Sequence, residues 1–146
     1  MAIPPNIENF NNVAAQTFAI LYENFPVPCN LRLVEDYAIW WEGNLYESGN
    51  KDEPEEVHFI ESTLDWLQDS GYLKYDGYSY PIGFMDAVLT LKGLEILNAV
   101  PDVLTSSHTA GELVTEALAE GASESISDIM KFILSKGLEF AGKNLL

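Results

Sequence analysis

The stretch STLDWLQDSGYLKYDG, residues 62–77, restricts the fold more tightly than any other part of the chain. Val57, Ile60, Leu64 and Leu67 recur every three or four residues, which predicts a helix from Pro54 to Ser70 with one buried line, flanked by Phe59 and Trp66. Pro54 suits a first helical turn, and Glu55 and Glu56 complement the positive end of the helix dipole. Gly71 ends the helical period, and Tyr72 to Tyr75 follows with the composition of a strand.

Upstream, after Pro4-Pro5, the residues Phe10, Ala14, Phe18, Leu21 and Phe25 form one stripe on a helix of about 15 residues, stopped by Pro26 and Pro28. Leu31 to Trp41 suits a short helix or an extended stretch and is expected as a helix, with one tryptophan of the pair Trp40-Trp41 inside and one outside. Glu42 to Pro54, with Gly43, Gly49 and several acids, reads as an exposed loop. Downstream, Tyr72 to Tyr75 and Phe84 to Thr90 are expected as the two strands of a hairpin, turning through Asp76-Gly77 and Pro81-Ile82-Gly83. Leu89 to Pro101 reads as a helix carrying Leu91, Leu94, Ile96 and Leu97 and halted by its proline.

The tail has its own punctuation. Thr109-Ala-Gly-Glu112 and Ser125-Ile-Ser-Asp128 both fit the capping-box spacing, while Gly121 and Gly142 stand where helices would end, so helices are expected near 110–120 and 126–141. On the second, Ile126, Ile129, Met130, Ile133, Gly137, Phe140 and Ala141 share one arc, opposite Lys131, Ser135 and Glu139. That arc requires a cover. A symmetric homodimer through this helix is the expectation, with packing against the chain's own domain as the alternative.

The order helix, helix, helix, hairpin, helix, together with STLDWLQDSGYL and AVLTLKGLEIL, resembles the winged helix-turn-helix domain of many bacterial regulators over residues 9–101. The resemblance implies a mainly α fold with a small β-hairpin, in the α+β class, with a winged-helix-like domain at 1–105; the capped tail is expected to add a C-terminal two-helix extension at 106–146. It also implies that the Pro54 to Ser70 helix is the recognition helix and that Tyr72 to Thr90 is the wing.

Composition turns this resemblance away from DNA. With 23 Asp and Glu against 7 Lys and Arg, the chain carries a net charge of −16 and a pI near 4.1, so it repels polyanions and attracts basic partners. Once its core line is buried, the recognition helix presents Glu55, His58, Glu61, Ser62, Asp65, Gln68 and Asp69. Phosphates are held by Lys and Arg, and base edges are read mostly by Arg, Asn and Gln, so only Gln68 has the right chemistry. The wing adds a single cation, Lys74, and tyrosines better suited to a protein contact. The candidate partner-binding residues are therefore Glu55, His58, Glu61, Asp65, Gln68, Asp69, Tyr75 and Tyr78.

No pattern points to catalysis. The sequence contains no nucleophile elbow, P-loop or dinucleotide fingerprint, and the single cysteine, Cys29, has neither a disulfide partner nor a legible base. Glu55-Glu-Val-His58 has the Glu-x-x-His spacing of di-iron bundles, but His108 follows Thr105 at that spacing, so the second motif is lacking. No catalytic residue, metal or cofactor is assigned. MAIPPNIENF has no basic and apolar leader, and no long uncharged apolar run follows, so a soluble cytoplasmic protein without membrane contact is expected. The expected function is a non-catalytic protein-binding module, an adaptor or an inhibitor, immunity or antitoxin-like protein acting on a basic partner. The alternative is a DNA-binding transcriptional regulator, supported by fold analogy alone.

Overall fold

Pro5 opens the first helix, because a first-turn residue has no intrahelical use for its N–H and the proline ring already holds a helical φ. Helix α1 therefore spans Pro5–Asn24, beginning earlier than the stripe from Phe10 implied. These elements come from a computed structural model that describes residues 5–37, 54–101, 108–121 and 123–144, with backbone alone at 123 and 140–144. The fold is mostly helical with a small antiparallel sheet, an α+β arrangement.

The segment expected as a helix from Leu31 divides in two. Strand β1, Cys29–Arg32, buries Leu31 between exposed Asn30 and Arg32; helix α2, Leu33–Tyr37, then buries residues four apart. The spacing of buried positions changes from two to four, and the backbone changes with it. Tyr37 is tied to α1, where the Thr17 hydroxyl donates to the Val13 carbonyl at 2.8 Å and is left to accept from Tyr37 at 2.7 Å. Trp40, Trp41 and the loop reading for 42–53 lie outside the described residues.

Helix α3, Glu55–Asp69, buries Val57, Ile60, Leu64 and Leu67 completely, and Gly71 leaves it with φ +87°, a conformation that favours glycine. The segment expected as a wing, called the wing below for its position alone, holds one more strand than a simple hairpin. After β2, Leu73–Lys74, the stretch expected as a turn includes β3, Gly77–Ser79, which pairs with the first part of β4, Gly83–Leu89. Strand β2 pairs with the far end of β4, at Val88 and Leu89, while β1 lies along its other edge. Between β1 and β4 the register slips: Cys29 faces Ala87 and Leu31 faces Phe84, so β4 carries an extra residue. Asp86 sits in this bulge with φ 53°, and its N–H donates to the Asn30 side chain at 3.1 Å. Helix α4, Leu91–Asn98, follows directly.

Two helices complete the described chain, α5 at Ala110–Glu120 and α6 at Ser123–Asn144. The first capping box is present: Thr109 N–H donates to Glu112 Oε1 at 3.1 Å, and Glu112 N–H donates to Thr109 Oγ1 at 3.2 Å. The second is not, because α6 already begins at Ser123 and Ser125 lies inside it. It also continues past Gly142, since one interior glycine costs a helix only about 1 kcal/mol relative to alanine.

Helix α1 contacts α3, α5 and α6, and α6 also packs on α4 and α5. Ile126, Ile129, Met130 and Ile133 belong to the same buried cluster as Val13, Phe18 and Leu64. This corrects the premise of the homodimer expectation: at these positions the stripe is covered in cis, leaving no exposed line there for a second copy. Phe140 and Ala141 lie outside the described side chains. Gly137 has a different use, since a Cβ on it would stand 2.0 Å from the Tyr72 hydroxyl oxygen.

Two stability predictions follow from this packing. Leu64→Ala should lower the unfolding free energy in urea by about 2–5 kcal/mol, as expected for a fully buried leucine. Gly137→Ala should cost about 1–3 kcal/mol by overpacking, and less in a Tyr72→Phe background, where the closest atom is gone. Equal costs in both backgrounds would show that the Tyr72 hydroxyl does not occupy this site.

Candidate functional site

The orientation of the wing on α3 is set where the helix ends. Tyr72 N–H donates to the Leu67 carbonyl at 3.0 Å, and its own carbonyl accepts from Thr90 N–H at 3.2 Å. Thr90 caps α4 by accepting from Gly93 N–H at 3.1 Å and also donates to the Gly71 carbonyl at 2.5 Å. Lys92 donates to the Ser70 carbonyl at 2.6 Å, with its ammonium 4.5 Å from the centre of the Tyr72 ring. The cation thus meets the negative end of the α3 dipole and an aromatic face together.

This junction lays Tyr75 along the acidic side of α3. Its N–H donates to Gln68 Oε1 at 2.8 Å and its hydroxyl donates to Asp65 Oδ1. The Tyr75 ring meets Phe84 edge-on at 5.1 Å, and Tyr78 packs on Phe84 at 4.8 Å. Burial, then the bond to Asp65 and its charge, then the charges of Glu61 and Asp69, hold the Tyr75 phenol far above its ordinary pKa. Six of the candidate residues, Glu61, Asp65, Gln68, Asp69, Tyr75 and Tyr78, are thereby gathered where helix and wing meet. Glu55 and His58 lie towards the start of the same helix, exposed.

A second surface adjoins the first and was not assigned from the sequence. Phe59, Ser62, Thr63 and Trp66 on α3, Asn6, Ile7, Phe10 and Asn11 on α1, and Leu134 on α6 line a mostly apolar groove of about 450 Å³. Trp66 is 47% exposed, yet its ring is held edge-on by Phe10 at 5.4 Å and stacked with Tyr72 at 6.3 Å. The available signal was Phe59 and Trp66, seven residues apart and therefore on one side of a helix with about 3.6 residues per turn. As flanks of the core line they were legible. That α1 and α6 would stop short of covering them was not.

Burial, then the charge of Asp36, raises the Cys29 thiol pKa, the reverse of what an activated nucleophile needs. His108 pairs with Glu116 at 3.2 Å, and among the described residues no group of His, Cys, Asp and Glu is placed to hold a metal ion. No helix among the described residues is long and apolar enough to cross a membrane. Comparison of the chain with protein-family models, with curated proteins and with solved structures finds no match in any of the three.

The surroundings of Tyr75 make a titration prediction. A raised phenol pKa contributes stability that is complete below the unfolded value of about 10 and is lost as pH rises through the folded value. Tyr75→Phe should therefore flatten the alkaline loss of stability, and Asp65→Asn should bring the Tyr75 titration down in NMR spectra of tyrosine-labelled protein. A Tyr75 that ionises near pH 10 in the unaltered protein would mean that the Asp65 contact is not formed.

Proposed function

We propose that the protein is a non-catalytic binding module of winged-helix type that uses the acidic face of α3 and the adjoining wing to hold a basic protein partner. The fold reading is supported by the sequence of parts: α3 leads through Gly71-Tyr72 into strand β2, then β3, then β4 ending at Leu89, and then α4, which is capped by Thr90 and starts at Leu91.

The observation that carries the functional reading is the convergence of Glu61, Asp65 and Asp69 on Tyr75, at the place where a DNA-binding relative would present cations. Of the two lysines nearest this junction, Lys92 is turned onto the Ser70 carbonyl, which leaves exposed Lys74 on β2. A surface of this kind steers a basic partner in and repels a phosphate backbone. An adaptor or an inhibitor, immunity or antitoxin-like role would use it directly.

The chain, with its net charge of −16, should show no binding to duplex DNA at physiological salt in an anisotropy titration. It should bind a fluorescent lysine-rich peptide, more weakly as salt rises, and Asp65→Lys or Asp69→Lys should weaken that binding by about tenfold. Submicromolar, salt-dependent binding of duplex DNA would overturn the reading in favour of a regulator, and peptide binding indifferent to both substitutions would remove the α3 face from it.

A further inference from the structure

The acidic face and the apolar groove are neighbours on one helix. With about 100° between successive helical residues, Trp66 and Phe59 point together into the groove, and Glu55, Ser62 and Asp69 follow along its outer rim towards Asp65. The opposite wall is Leu134 of α6; one turn before and after it stand Lys131 and Leu138, the latter 77% exposed. The rim is thus carboxylate-rich on α3, with a lysine on the α6 side.

We propose that this groove is the docking site for an amphipathic helix of the partner, whose apolar side chains seat against Trp66, Phe59 and Leu134 while lysines or arginines along one edge face Glu55, Asp65 and Asp69. This inference rests on the protein-binding reading above and adds where the partner's apolar anchors sit. Three observations select such an occupant. The floor is apolar and already shaped, since Phe10 and Tyr72 hold the Trp66 ring in place before anything binds. The exposed tryptophan beside a second aromatic and a leucine has the composition of an interface hot spot. The carboxylates lie along one rim, so charge complementarity fixes the side on which a bound helix carries its cations.

A second copy of this chain is a poorer occupant. It would bring another molecule of net charge −16 and the same acidic rim against the first.

The test uses the full chain and three synthetic peptides: a helix with leucines at i, i+3 and i+7 and lysines along one edge, its leucine-to-alanine version, and its lysine-to-glutamate version. The first should bind most tightly and shift the NMR signals of the Trp66 indole and the Leu134 methyl groups. Trp66→Ala and the peripheral Ile7→Ser should each weaken it by about tenfold or more, while leaving the alanine version's binding unchanged. Ile7 is 45% exposed on the first turns of α1, so its replacement keeps the test valid if the loss of the Trp66 ring disturbs the fold.

If the alanine version binds as well as the leucine peptide, the groove inference falls while the acidic-face reading stands. If neither binds, both fall together. Equal binding of the glutamate version would overturn the charge assignment, and groove signals that move on diluting the protein alone would make a second copy the occupant.

Discussion

Tyr72 is the residue on which the arrangement of the other parts depends. Its backbone joins the end of α3 to the start of α4, accepting from Thr90 N–H and donating to the Leu67 carbonyl. Its ring lies among Phe18, Trp66 and the Lys92 ammonium, and its hydroxyl reaches the space left by Gly137 on α6. The side chain is 4% exposed, so nearly all of its surface is in use. One aromatic residue, the first after the helix-ending glycine, therefore fixes the direction of the wing, the seat of α4 and the approach of α6. Gly93 shows how closely the parts fit, since a Cβ there would stand 2.1 Å from the Tyr72 carbonyl oxygen.

The two surfaces of α3 follow from that junction. Because the wing leaves the helix at Gly71 and turns back along it, Tyr75 comes to rest over Asp65 and Gln68, closing the acidic side with an aromatic edge. Because α6 meets Tyr72 at Gly137, its next turn towards the start, with Leu134, forms the far wall of the groove. Both faces therefore share Tyr72 as their base.

Lys92 illustrates how placement decides the meaning of a charge. In the sequence it is one of few cations near the helix expected to be the recognition helix; in the fold it donates to the Ser70 carbonyl that caps that helix and covers an aromatic face. The charge is used internally, so the acidic surface keeps its sign. Asn11 and Ser127 make an internal polar contact between α1 and α6, a buried 3.4 Å hydrogen bond, which favours one alignment of the two helices over others.

What the sequence determined by itself is what local period, capping chemistry and net charge can encode. The buried line Val57, Ile60, Leu64 and Leu67, the glycine that ends α3, the Thr109 to Glu112 cap and the acidity of the helix face are each set by residues within a few positions of one another. The acids Glu61, Asp65 and Asp69 were legible on the helix face for the same reason, whereas the meeting of Asp65 with Tyr75 depends on how the wing turns back along α3. What only the tertiary structure decided are the events that join distant segments. Cys29–Arg32 becomes a strand because β4 offers it an edge, which no local propensity records. Gly77–Ser79 pairs where turn composition implied a bend. The stripe of α6 from Ile126 to Gly137 is buried against α1, α4 and α5, and Gly137 admits Tyr72, a contact across 65 positions of sequence that periodicity cannot foresee. The groove beside Trp66 exists because three helices meet there without closing, and an unfilled space is a property of packing, carried by no single residue.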